Sequence, residues 1–147
     1  MSDLSDGFQV EEPPVFVPWG ANESTLRELF PANLRTVTTG YFTVECVSLN
    51  GLRHVLGMHM TPREDGRLHE LEFFRHDWQD SSEKQEALSA SFDIWQRHLE
   101  LTFGRPTVRS DGDCDLPLYE WRIGTATVRH FCQYRFGPEQ HVRIARY

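Results

Sequence analysis

The densest run of candidate ligands is Asp111-Gly112-Asp113-Cys114-Asp115, with carboxylates at alternate positions. A hard cation takes several oxygens, and such alternation opens a calcium-binding loop. The pattern then breaks, because Leu116 stands where the turn glycine should follow and Arg122 where the closing bidentate Glu would fall. The run therefore reads as a solvated acidic loop suited to a partner contact, and no metal is expected there. Histidine is both a transition-metal ligand and the side chain that titrates near neutral pH, and the chain has 7. His54 and His59, His69 and His76, and His130 and Cys132 show none of the paired spacings of structural zinc sites. His130 and Cys132 project to one strand face but supply at most half a tetrahedral set.

One pair could do acid–base work. In a hairpin register set by Asp65-Gly66, His59 faces Glu72, close enough for the carboxylate to orient or charge the ring. No motif places a serine or cysteine nucleophile beside them, so a cross-strand hydrogen bond is the default. Neither GxGxxG nor GxxxxGK[ST] occurs, so no phosphate cradle and no cofactor are expected. Recognition is better represented. His76-Asp77-Trp78-Gln79-Asp80 sets a tryptophan, a common interface anchor, in a polar acidic linker. The candidate partner-binding residues are thus Asp77, Trp78 and Asp80 with Asp111, Asp113 and Asp115, while Tyr119, Trp121 and Tyr134 read as core strand residues.

Elements must hold these groups in place. Residues 1–14 are polar and acidic and end in Pro13-Pro14, which predicts a flexible leader outside the core, followed by a single domain over 15–147. Asn22 or Ser24 caps a short helix through about Asn33, with Leu26, Leu29 and Phe30 on one face. From Thr36 the period becomes two, and Asn50-Gly51 and Asp65-Gly66 divide a three-stranded meander. With a two-residue turn at Asn50-Gly51, Leu49 faces Leu52. That register puts Tyr41, Val47, Leu56, Met58, Leu71 and Phe73 on the core face and Phe42, Val44, Cys46, Val55 and Phe74 on a mixed one.

Ser82 and Gln85 form a capping box for the longest helix, which Gly104-Arg105-Pro106 ends. Leu88, Phe92, Trp95 and Leu99 make its apolar stripe. A polar loop runs from Arg105 to Pro117, and a second three-stranded meander closes the chain. The fold class expected is α+β, antiparallel sheet from two three-stranded meanders packed on two helices, in the order αβββαβββ, a pattern that suggests internal duplication.

At 147 residues the chain can bury a self-sufficient core. Fifteen basic against 22 acidic residues give a net charge of −7, which opposes contact with the polyanionic backbone of nucleic acid. No stretch approaches a membrane span and the start lacks a signal peptide, so a cytoplasmic chain without membrane contact is expected. Cys46, Cys114 and Cys132, an odd number without paired spacing, are expected as reduced thiols.

The succession Val17-Pro18-Trp19-Gly20, a short helix, a meander, then Thr102-Phe103-Gly104-Arg105-Pro106 and Tyr119-Glu120-Trp121-Arg122-Ile123 resembles small bacterial immunity proteins of polymorphic or contact-delivered toxin systems. The resemblance implies a cytosolic, non-enzymatic inhibitor that binds a cognate toxin, and it transfers no catalytic residue. Here the acidic surface would steer a basic toxin. A small enzyme or ligand-binding domain with His59 and Glu72 as acid and base is the rival expectation, which requires a concave pocket around His59. A secretion chaperone, small and acidic but usually ending in a helix, is a third.

Overall fold

The computed structural model describes residues 4–61, 66–75, 85–134 and 138–146. Strands β1 (Gly7–Val10) and β2 (Val15–Pro18) form a hairpin, followed by helix α1 (Glu23–Leu29). Next come β3 (Arg35–Thr38), β4 (Tyr41–Ser48), β5 (Leu52–Thr61), β6 (Arg67–Arg75) and α2 (Gln85–Phe103). The chain continues through β7 (Val108–Asp111), β8 (Pro117–Ile123), β9 (Ala126–Tyr134) and β10 (Pro138–Arg146).

These strands correct the expected αβββαβββ order. Each meander has four strands, and the two share one antiparallel eight-stranded sheet in the order β3-β4-β5-β6-β10-β9-β8-β7. The extra strands, β3 and β7, are four-residue edges. All of β3 is exposed, so it lacks the apolar alternation by which a strand is recognised. The seam between the halves, β6 against β10 with Phe73 opposite Val142, is a non-local pairing that no local pattern encodes.

The register of β4 is also corrected. Ser48 pairs with Leu52, leaving Leu49, Asn50 and Gly51 as a three-residue turn with φ of 54°, 61° and 88°. Strand side chains alternate with period two, so this one-residue difference turns Phe42, Val44 and Cys46 into the core and Tyr41 out of it. A left-handed leucine costs about 1–2 kcal/mol. Burial of the Leu49 side chain, worth roughly 1.5–3 kcal/mol, offsets that strain. The Glu11 carboxylate accepts from the Asn50 and Gly51 N–H groups at 2.8 and 2.9 Å, and His98 Nδ1 donates to the Leu49 carbonyl at 2.9 Å.

That role of Glu11 belongs to a segment expected to be a flexible leader. Instead Leu4, Phe8 and Val10 are buried, the Trp19 indole donates to the Leu4 carbonyl at 2.7 Å, and Phe8 sets its edge on Phe73. The short β1–β2 hairpin and α1 lie on the same sheet face as α2, with Leu26 and Phe30 in the same core. Asn22 caps α1, its side-chain oxygen accepting from Thr25 N–H at 2.9 Å.

Along α2 the stripe of Leu88, Phe92, Trp95, Leu99 and Phe103 is buried. The helix bridges the seam: Phe92 stacks on His130 of β9, and Trp95 meets His54 of β5. Gly104, at φ +84°, ends it in a conformation other residues resist, and the Trp121 indole donates to the Gly104 carbonyl at 2.9 Å.

Candidate functional site

With both helices on one face, the other face of the sheet carries the polar groups. One register row crosses all eight strands: Arg35, Thr43, Gly57, Glu72, Arg143, Arg129, Glu120 and Val108. Along its middle Glu72 and Glu120 flank the neighbouring Arg143 and Arg129. Glu120, almost fully buried, accepts from Arg122 and Arg129, each at 2.9 Å. Burial pushes its carboxyl up, but the hydrogen bonds from Arg129 and Arg122 outweigh this and hold it below the usual carboxylate range.

At the first half of the row lies the His59–Glu72 pair. The β5–β6 register differs by two residues from expectation, so Glu70, not Glu72, is opposite His59. An even shift keeps the face, and His59 Nε2 reaches diagonally to Glu72 Oε1 at 2.5 Å. Tyr41 stacks on the His59 ring with centroids 4.2 Å apart and planes 10° apart. Glycine at position 57 makes room for this stack, because a Cβ there would lie 2.8 Å from the Tyr41 hydroxyl. On the other side of Glu72, Arg143 Nη2 stands 4.0 Å from Oε2. The His59 hydrogen bond, helped by Arg143 and opposed by burial, holds the Glu72 carboxyl below the usual range. Burial, with Glu72 nearby, raises the Tyr41 phenol to about 12, so it stays protonated.

Glu70 completes this cluster. One ligand atom from each of His59, Glu70 and Glu72 lies within 4.8 Å of the others, and all three side chains are half-buried. Sequence reasoning found His59 and Glu72 but missed Glu70 and Tyr41. Glu70 was findable, since period two puts it on the face of Glu72. Tyr41 was hidden by the β4 register.

The acidic loop lies elsewhere, between the edge strand β7 and β8. Asp111, Asp113 and Asp115 are exposed, and Cys114 and Asp115 sit at φ of 62° and 56°. The expected reduced state of all three cysteines is corrected here: Cys114 is bonded to Cys132 of β9, with Cα atoms 6.0 Å apart, while Cys46 is a buried free thiol. The disulfide packs against Leu88 and Leu116. Thus the loop is tied to the sheet on its inner side and presents carboxylates outward. Asp77, Trp78 and Asp80 lie outside the described residues.

A second histidine group has a nucleophile beside it. His54 Nε2 hydrogen-bonds Ser48 Oγ and lies 3.7 Å from Cys46 Sγ. His54 and Ser48 are completely buried, so no substrate reaches them. Burial lowers the His54 imidazole to about 4 and raises the Cys46 thiol to about 12, leaving both neutral. His130, lowered by burial to about 3, donates through Nδ1 to Gln96 Oε1 at 2.8 Å and packs under Phe92. A depression lined by Asp93, Gln96, Arg97, Glu100 and Leu101 belongs to α2 and includes no residue of the His59 cluster.

No family model, curated protein or solved structure matches the chain. Among the described residues no helix is long and apolar enough to cross a membrane.

Proposed function

We propose that the protein is a binding domain that engages a basic protein partner through the Asp111–Asp115 loop, with neutralisation of a cognate toxin as the specific role. The observation that carries this reading is the loop itself: exposed Asp111, Asp113 and Asp115 on backbone tethered by Cys114–Cys132. A preorganised loop loses little conformational freedom on binding, and its clustered charge speeds encounter with an oppositely charged surface. The net charge of −7 supports the same polarity of partner. The tether makes binding redox-dependent. The tethered loop therefore fits work in an oxidising compartment, in place of the reducing cytoplasm expected from the sequence.

The test is a pull-down from the native cells with the full chain and its D111A/D113A/D115A variant as baits, washed at moderate salt. The expected result is one basic protein retained by the wild type, lost from the variant, and toxic when expressed alone. Equal retention by the variant would overturn the loop assignment, and a retained protein without toxicity would overturn the toxin role. A second reading, a small enzyme or ligand-binding domain, is favoured by one observation, the Tyr41–His59–Glu72 arrangement. Failure to retain any protein would turn attention to that face.

A further inference from the structure

We propose that His59, Glu70 and Glu72 form a binding site for one divalent transition-metal ion of the zinc class. A cross-strand hydrogen bond accounts for His59 and Glu72, but not for Glu70. That carboxylate, half-buried directly opposite His59, makes no hydrogen bond or ion pair among the described residues. Two carboxylates side by side repel one another, and Arg143, 4.0 Å from the outer oxygen of Glu72, offsets only one of them. A cation between Glu72 Oε1, His59 Nε2 and the Glu70 carboxylate would remove the remaining repulsion.

The donor set selects the ion. One imidazole nitrogen with two carboxylate oxygens suits Zn2+, whose protein ligands are drawn from His, Asp, Glu and Cys, whereas all-oxygen cages suit Ca2+ and Mg2+. Tetrahedral bonds of about 2.0–2.1 Å put ligand atoms about 3.3 Å apart. The three atoms lie within 4.8 Å, so rotation of the Glu70 and Glu72 side chains closes the set while His59 and Glu72 part slightly from 2.5 Å. Two neighbours preorganise it. Tyr41 fixes the imidazole plane by stacking, and Arg143, 4.0 Å from the other oxygen of Glu72, places a positive charge behind that ligand. Partial exposure of His59 leaves room for water to complete the coordination. This site is on β5 and β6 and rests on no part of the loop reading.

The test is calorimetric titration of the chelator-stripped full chain with ZnCl2, for the wild type, Glu70→Gln and His59→Ala, with X-ray absorption of the zinc-loaded wild type. We expect one ion per chain, a shell of nitrogen and oxygen including one imidazole, and at least about tenfold weaker binding in each variant. Glu70→Gln is decisive because Glu70 makes no hydrogen bond or ion pair among the described residues and the change relieves its repulsion with Glu72, so the metal-free melting temperature should equal or exceed that of the wild type. Absence of one-to-one binding, a sulfur ligand, or wild-type affinity in Glu70→Gln would each overturn the proposal.

Discussion

Gly57 shows how one absent side chain shapes the polar face. A methyl group there would lie 2.8 Å from the Tyr41 hydroxyl, 3.0 Å from its Cε1 and 3.1 Å from Phe74 Cε2, so the Tyr41 ring must swing off His59. Gly57→Ala should cost about 1–3 kcal/mol by overpacking. It should also bring the Tyr41 phenol, held near 12 by burial, toward the ordinary value of about 10, which an ultraviolet pH titration would read. An unchanged phenol titration would show that the stack does not depend on this glycine. The buried histidines make a separate prediction. His54 and His130 are held at about 4 and about 3, below the ordinary value of about 6.5. Their folded values are depressed, so below pH 6.5 the unfolded chain gains protons that the folded chain refuses. Stability should be intact above that pH and fall toward pH 4 by about 1.4 kcal/mol per unit for each histidine. Urea unfolding at pH 7 and pH 5 would test this; equal midpoints would contradict it.

Among elements, the amino-terminal hairpin has the largest consequence for stability that its composition conceals. Phe8 packs on Phe73 and Leu4 lies under the Trp19 indole, so Phe8→Ala should cost about 3–5 kcal/mol, where a flexible leader would cost nothing measurable. At the end of α2, Gly104→Ala meets open space yet places an alanine at φ +84°, so thermal unfolding should reveal a loss of about 1–2 kcal/mol of backbone origin. Helix α2 was legible because its stripe repeats over three turns and a Gly-Arg-Pro stop follows it. Strand β4 was legible as a strand but not in its facing, since Asn50-Gly51 serves a two-residue or a three-residue turn and the buried Leu49 decides between them. Edge strands β3 and β7 bury too little to leave a period. Of the candidate site, His59 with Glu72 survived a two-residue register shift because the face did not change. The acidic loop was visible as charge, but the Cys114–Cys132 bond was not, because 18 positions separate cysteines that only the β8–β9 fold brings together.

For the molecule as a whole, that disulfide is the one covalent crosslink among the described residues. A closed loop of this length restricts the unfolded chain by roughly 3 kcal/mol, so reduction, or the C114S/C132S variant, should lower the denaturant midpoint accordingly. If the loop is the binding element, reduction should also weaken capture of the partner while leaving the polar cluster on β5 and β6 intact. The sheet's strand order has a consequence of another kind. Every pairing within it joins consecutive strands except β6 with β10, so it can assemble as two local zippers that meet at one late contact. A backbone cut between Arg75 and Gln85 would therefore leave each fragment its own four-stranded meander. Coexpressed, the two pieces should find each other across β6 and β10, with α2 of the second clasping His54 of the first, making the protein a natural scaffold for fragment complementation.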